Sequence, residues 1–257
     1  MEFRVGRGSR ITGEMLEKLV RAALVEAKIK EPDAVVCYGY GYTGPKPTLN
    51  GHCSALNKLE QGVMLGRMLG KEALQIVMPE VARQAIWQGK TLIARKTHHA
   101  KGKDMRVCKS RRQVILALDK GRNYFTELVD SDTEYRVWVY RKRVLVIYEK
   151  RLTEPQNNKK FGRNRANGFT FHNVPLEETP EAVRRVAVAA VRCLDLDFGA
   201  VDILAKYKKG NKMDVDACVL EVNTAPGVSD EHRSAIQRLT HRIVRWIANG
   251  CPGRNKE

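Results

Sequence analysis

Apolar residues recur at helical spacing close behind the N-terminus. Met15, Leu16, Leu19, Ala22 and Ala23 form one stripe, with Ser9 or Thr12 placed to cap the helix that carries it. A short strand is predicted at residues 3–5, and the apolar run from Ala34 to Tyr38 reads as a buried strand. It leads into YGYGYTGPKPTLNG, whose glycines and prolines mark a boundary near residue 50. From Asn57 a helix carries Leu59, Val63 and Gly66 on one side. A strand at Thr91–Ala94 and a short helix near Arg111–Leu118 follow.

From Tyr124 the pattern changes to β. YFTELV is followed by YRVWVY and VLVIYEKR, which the turn Arg141-Lys-Arg143 joins as a hairpin. Residues 153–173, rich in Asn, Lys and Gly, read as a loop. Thr179-Pro180-Glu181 then opens a helix with a cap, a first-turn proline and an acid near the positive end of the dipole. Its apolar stripe is Val183, Val186, Ala187, Ala190, Val191 and Leu194. Two strands, Gly199–Tyr207 and Ala217–Val222, are joined by the charged turn KKGNKMDVD, and a helix around His232–Ile247 ends the pattern. There is no internal repeat and no low-complexity tail.

Composition narrows the class. At 257 residues and 43% hydrophobic content the chain can bury a core without disulfides or a structural metal. Six scattered cysteines show no CxxC pair and no metal-finger spacing. The longest apolar runs, such as Val186–Val191, are too short to cross a bilayer, and MEFRVGRGSR lacks the apolar region of a signal peptide. A cytoplasmic location with no membrane partner is therefore expected. The formal charge of +17 asks for an anionic partner: nucleotide phosphates, an acidic peptide, a nucleic acid or a membrane surface. Part of the excess sits in short clusters, Lys101-Gly-Lys103, Arg141-Lys-Arg143 and Lys206–Lys212, that serve equally well as solvated turns.

The chemistry concentrates in the last strand pair. Asp202 stands in GAVDIL, and Glu221 and Asn223 stand in LEVNTAPG. Strand side chains alternate faces, so Glu221 and Asn223 point to the same side. If the strands are antiparallel neighbours, Asp202 can join them. Two carboxylates and an amide oxygen then meet the oxygen preference of Mg²⁺, whose other ligands are water and substrate phosphates. The alternative is that both acids pair with nearby Lys or Arg. Two acids interrupting apolar strands are costly to bury without strong counter-charge, which favours the metal.

Glu221-Val-Asn223-Thr-Ala-Pro226-Gly227 matches the closing motif of the ATP-grasp superfamily, and the chain resembles its D-alanine–D-alanine ligases and ribosomal-protein glutamate ligases over roughly residues 54–247. It also resembles short phage-encoded proteins with an ATP-grasp core, through its early Arg-rich strand and Tyr-Gly loop; for these the location is host cytoplasm. The resemblance implies an α+β ATP-grasp fold in which two α+β lobes clasp ATP. Residues 1–53 would be a shortened N-terminal α/β segment, 54–125 the small lobe with its centre at 91–125, and 126–257 the large lobe with the metal site.

The implied roles follow by position. Glu127 would face the adenine amino group, and Leu128 and Val129 would offer backbone polar groups to the ring. Glu134 would bind the ribose hydroxyls. Lys58 and Arg95 would hold phosphates, with Lys96 as second choice and Gly102 in the phosphate-covering loop; arginine at position 95, where the family has lysine, keeps the charge and adds a bidentate fork. That loop, THHAKGKDM, has one glycine where the family is glycine-rich, and His98 and His99 read as polar loop residues. Arg136, Arg151, Arg165 and Asn167 would contact the substrate carboxylate or the transferred phosphoryl group. Asp202, Glu221 and Asn223 would hold Mg²⁺, with Mn²⁺ as a substitute.

The implied activity is an ATP-dependent carboxylate–amine ligase, a C–N ligase that forms ADP through an acyl phosphate. Its partners would be ATP, a carboxylate and an amine carried by an amino acid, peptide or protein of acidic character. Two rivals stand beside it. One is a kinase on the same core; the other is a basic nucleic-acid-binding protein, disfavoured because Asp202, Glu221 and Glu134 would repel a phosphate backbone unless a metal neutralised them.

Overall fold

The computed structural model describes residues 1–6, 10–52, 57–97, 105–153, 163, 167–227 and 230–253. Gly102 and Arg165 of the expected site lie outside them, as do His98 and His99.

Three sheets organise the chain. Strands β1 (Glu2–Val5), β2 (Val35–Tyr38) and β3 (Thr48–Leu49) pair in parallel, with helix α1 (Arg10–Glu26) crossing between the first two. Helix α2 (Lys58–Leu69) follows. A second sheet, of order β4-β7-β5-β6, is built from β4 (Ile76–Val77), β5 (Leu92–Arg95), β6 (Arg106–Cys108) and β7 (Tyr124–Glu127), with α3 (Pro79–Trp87) and α4 (Arg111–Asp119) on it. The third is antiparallel, of order β10-β9-β8-β11-β12. Its strands are β8 (Thr133–Tyr140), β9 (Arg143–Leu152), β10 (Phe169–Val174), β11 (Phe198–Lys208) and β12 (Asn211–Asn223), accompanied by α5 (Glu181–Cys193) and α6 (Arg233–Ala248).

The third sheet is buried on both faces, and its two faces serve different purposes. Tyr135, Val137, Ile147, Val201 and Ile203 pack with the apolar stripe of α5 and with Leu65 of α2. The opposite face sends Trp138, Tyr140, Val146, Tyr148, Phe198 and Ala200 against α1, α6 and the first sheet. Along β9 this second face runs Val146, Tyr148, Lys150. The N-terminal end of α6 meets it at Tyr148, whose hydroxyl lies 2.8 Å from Ser234 Oγ. Beyond Tyr148 the face turns charged, and there the site lies.

Several predicted features take a different form. On α1 Leu16 of the expected stripe is buried, together with Thr12, Gly13, Val20 and Leu24, while Met15 and Leu19 of that stripe are exposed. Two apolar stripes overlap on this helix, and only the packing chooses between them. On α2 the deeply buried residues are Gln61, Gly62 and Leu65, not the expected Leu59, Val63 and Gly66. Residues 153–173 are not all loop, since Phe169–Val174 pairs with β9 as a fifth strand. Thr179 does not cap α5; its hydroxyl donates to Pro175 O at 2.9 Å, and Pro180 takes the cap position without a side-chain bond. The turn in KKGNKMDVD shrinks to Lys209-Gly210, both at positive φ, because β12 already starts at Asn211.

Helix α2, grouped by the sequence with the small lobe, packs on the large sheet. The Gln61 amide donates to Val222 O at 2.9 Å and accepts from Val222 N–H at 2.8 Å. A capping box starts the helix: Asn57 Oδ1 accepts from Leu59 and Glu60 N–H, and Glu60 accepts from Asn57 N–H. Lys58 is thereby fixed at the first turn, beside Val222 and its neighbours. The first sheet is tied to the same place. Gly39, at φ 77°, lets β2 approach Ala225 so closely that a Cβ there would stand 2.6 Å from the alanine methyl, and Tyr38 Oη donates to Pro226 O at 2.5 Å.

Gln61→Ala should strand both polar groups of Val222 in a buried setting and destabilise the protein by roughly 2–4 kcal/mol. Chemical denaturation of the variant checks this; a loss under about 0.5 kcal/mol would mean that water replaces the amide.

Candidate active site

The register of the third sheet lines up the chemistry. Arg136 on β8 stands opposite Asp202 on β11, and Asp202 stands opposite Glu221 on β12. On the other side of Arg136 lies Tyr148. A shift between Asp202 and Ile203 leaves an extra residue in β12, so the acid row ends at a bulge.

Asp202 is the centre of the row. Its oxygens accept Arg136 Nε and Nη2 at 2.8 Å each, a bidentate fork. Lys150 Nζ lies 3.4 Å from Oδ2, and Asn223 Nδ2 donates to the same oxygen at 3.4 Å. Lys150 also makes a short ion pair with Glu134. Lys58 reaches Glu221 Oε2 at 2.8 Å. Three carboxylates thus face three cations. Asp202, Glu134 and Lys150 are almost fully enclosed, whereas Lys58 and Glu221 keep 35% and 26% of their side-chain surface.

The electrostatics follow from this enclosure. Burial works against ionisation of Asp202, but Arg136 and Lys150 outweigh it and hold the carboxyl well below the usual carboxylate range. Burial likewise opposes charge on Arg136, and the Asp202 carboxylate overcomes it and raises the guanidinium pKa. For Glu221, burial is outweighed by Lys58, with Arg136 helping, and the carboxyl is held low. Glu134 goes the other way: burial, reinforced by the Asp202 charge, lifts it above its ordinary value in spite of Lys150.

An aromatic wall closes one side. The Arg136 guanidinium lies 5.0 Å and Lys150 Nζ 5.6 Å from the Phe171 ring centre, and Phe171 packs edge-on against His232, which packs on Tyr148. Phe171, His232 and Lys150 were not singled out from the sequence. For Phe171 the signal was the alternation in FTFHNV; for Lys150 it was the charge next to Arg151, which cannot be sorted without the register.

Other expected residues are distributed unevenly. Arg95 ends β5 opposite Tyr124, and its Nε donates to Thr126 Oγ1 at 3.1 Å. Burial raises the Tyr124 hydroxyl pKa, with Arg95 lowering and Glu221 raising it, so this end of the small sheet feels the large sheet's acids. Lys96 follows, half-buried. Glu127 ends β7 in a short ion pair with Lys90, and Leu128 N–H donates to Thr91 O at 2.8 Å. The Leu128 amide is therefore engaged within the lobe; half-buried Val129 is next in the crossing segment. Glu134 is a buried partner of Lys150, not a rim residue. Arg151 is not brought to the row: it points to the opposite sheet face, 56% exposed, and pairs with Glu149 at 2.7 Å. Asn167 is half-buried in the turn before β10.

Among the described residues no three His, Cys, Asp or Glu side chains converge as a metal cluster. The oxygen set of the row is instead two carboxylates and the Asn223 amide. It still matches the taste of a hard cation, since the described residues engage only one oxygen of Glu221 and Asn223 gives its nitrogen, not its oxygen, to Asp202.

No protein-family model matches the sequence, and no curated protein does. Solved structures do. The ATP-grasp ligase PsnB complexed with a minimal precursor superposes with a TM-score of 0.66 at 14% identity, covering 95% of this chain and 98% of that one. D-alanine–D-alanine ligase from Bacillus anthracis gives 0.65 at 16% identity, with 97% of each chain covered. The macrocyclase MdnC bound with precursor peptide MdnA, from Microcystis aeruginosa MRC, gives 0.61 at 11%, covering 97% and 99%. The chain has the ATP-grasp fold, a mixed helix and sheet architecture, as the sequence resemblance implied.

Asp202→Asn should leave Arg136 and Lys150 without their shared counter-charge and destabilise by roughly 3–5 kcal/mol. Glu221→Gln, on the partly exposed rim, should cost at most about 1 kcal/mol. Because the folded pKa of Asp202 lies below its unfolded value near 3.9, its contribution is complete above that value and is lost as pH falls through the folded one. Urea denaturation across pH should show the wild type losing more stability than Asp202→Asn below about pH 4.

Proposed function

We propose that the protein is an ATP-dependent ligase that joins a carboxylate to an amine, with ATP held between the small antiparallel sheet and the large one. The observation that carries this reading is the charge-balanced row Arg136–Asp202–Glu221, with Lys150 and Lys58 against it, on an ATP-grasp fold. Buried acids and bases in such number are a poor way to stabilise a sheet and a good way to meet a polyanion.

The roles follow from placement. Val129, and the carbonyls of Glu127 and Leu128, would receive the adenine. Arg95, Lys96 and Lys58 would take the phosphates. Lys58, on the solvent side of Glu221, is placed to exchange a carboxylate for a phosphate oxygen. Mg²⁺, or Mn²⁺ in its place, would be held by Glu221, Asn223 and Asp202 and when bound supplies neutralising charge to the β- and γ-phosphates. Glu134 is assigned to orienting Lys150, and Phe171 confines both cations from the side. Arg136 and Lys150 would then face the reacting groups, and no side-chain nucleophile is required.

A carboxylate oxygen of the substrate takes the γ-phosphoryl group, and ADP leaves. The amine attacks the acyl carbon, phosphate departs, and a proton is released from nitrogen. Preorganised cations favour both steps because negative charge gathers on the transferred group and then on the tetrahedral oxyanion. PsnB and MdnC are each seen with a precursor peptide, which supports a peptide as one substrate.

Mass spectrometry of reactions containing ATP, Mg²⁺ and pooled amino acids and peptides tests the proposal. The expected product is lighter by one water than its two reactants, formed with one ADP each. A phosphorylated product would make the protein a kinase, and no ATP-dependent product at all would remove the reading. Within the site, Lys150→Met should lower ADP formation by about 100-fold or more. Arg151→Ala, on the far face, should stay within about 2-fold of wild type. Steady-state rates that reverse this order would move the phosphoryl contact to Arg151.

A further inference from the structure

Many basic side chains have a carboxylate partner in the fold. Lys206 pairs with Asp130 and Asp132 at 2.9 and 3.1 Å, Lys208 with Asp214 and Asp216 at 3.5 and 3.0 Å, and Arg141 with Asp197 at 3.3 Å. The outer face of α6 is different. Arg233, Arg238, His241 and Arg245 are exposed, Arg242 is half-buried, and the helix contains no acidic residue. Among the described residues none of these five side chains forms an ion pair. Arg238 Nη1 donates to Leu145 O at 2.6 Å and so fastens the helix to the β8–β9 hairpin. Lys142 and Arg143, exposed on that turn and also without a carboxylate partner among the described residues, extend the basic surface.

This arrangement is unfavourable by itself. Arg238 and Arg242 stand four residues apart and Arg242 and Arg245 three, spacings at which like charges on a helix repel. A polyanion lying along the helix would turn that repulsion into attraction. From Arg238 to Arg245 is about 10.5 Å of helix, along which one strand of a duplex presents about three phosphates. Guanidinium forks suit phosphate oxygens. The face offers no exposed aromatic ring on which an unpaired base would stack, Trp246 being buried, so single strands gain little here. The groove between helix and hairpin, about 270 Å³, is lined by Val144, Leu145, Gln237, Arg238, His241 and Arg242.

We propose that the outer face of α6, with the β8–β9 turn, binds double-stranded nucleic acid through its phosphate backbone without reading sequence. Arg242, Arg245 and Arg143 lie outside the acid row, so this surface does not depend on the ligase reading.

The test is fluorescence anisotropy of the full-length protein with labelled synthetic duplexes of two unrelated sequences, titrated across salt concentration. Both duplexes should bind alike. The variant Arg143→Gln/Arg242→Gln/Arg245→Gln should lose about tenfold or more in affinity and reduce the log–log salt slope by about 2–3, one phosphate per arginine. Its melting temperature should be at or slightly above the wild-type value, because the like-charge repulsion along the helix is relieved, and its ADP formation should stay at the wild-type value. Lys209→Gln/Lys212→Gln, on the distant hairpin, should bind as wild type does. Absence of duplex binding by the wild type, an unchanged slope in the triple variant, or tighter binding of polyglutamate than of duplex would each overturn the proposal.

Discussion

The fork between Arg136 and Asp202 sets the terms for the rest of the large sheet. A carboxylate enclosed this completely stays ionised only with a cation in direct contact, and a guanidinium enclosed beside it stays in place only with an acceptor for its donors. The two side chains can meet because β8 and β11 are antiparallel neighbours in a register that puts residue 136 opposite residue 202. A slip of one residue would turn one of them into the α5 core and leave the other uncompensated. The apolar residues on both sides therefore protect the pair, and the pair in turn penalises any other register.

Around that fork the remaining charges are arranged by elements far apart in the chain. Lys150 comes from β9, Glu221 and Asn223 from β12, and Lys58 from the first turn of α2, held there by Gln61 on the Val222 backbone. In the small sheet Arg95 ends β5 opposite Tyr124. The crossing segment between the two sheets is short, and the Leu128–Thr91 bond ties its start to the small sheet.

Charge is also distributed at longer range. The site balances its acids and bases one for one, and Lys208 of the β11–β12 hairpin pairs with the hairpin's own Asp214 and Asp216, yet among the described residues the arginines of α6 have no carboxylate partner. Net charge by itself says only that an anion is expected somewhere. The pairing of individual side chains shows which cations lack a carboxylate among the described residues, those of α6 being a group of them on one helix.

Alternation was enough to bring Glu221 and Asn223 to one face, because the period of a strand is fixed by its backbone and does not depend on its neighbours; that Asp202 stands opposite Glu221 was decided by the antiparallel register of β11 and β12. The same local rules gave the α5 stripe and the β8–β9 hairpin, while the family resemblance carried by the closing motif implied the fold. Local rules could not decide between Lys150 and Arg151, adjacent cations on one strand, since the choice rests on the register that sets Tyr148 across from Arg136 and so turns Lys150 to the same face. They could not choose between two overlapping stripes on α1, find β10 inside a polar stretch, or tell that α2 belongs with the large sheet. Nor could they show that Glu134 and Asp202 share a lysine. Each of these was decided by long-range packing and register, where burial in a low-dielectric interior forces every charge to find its partner.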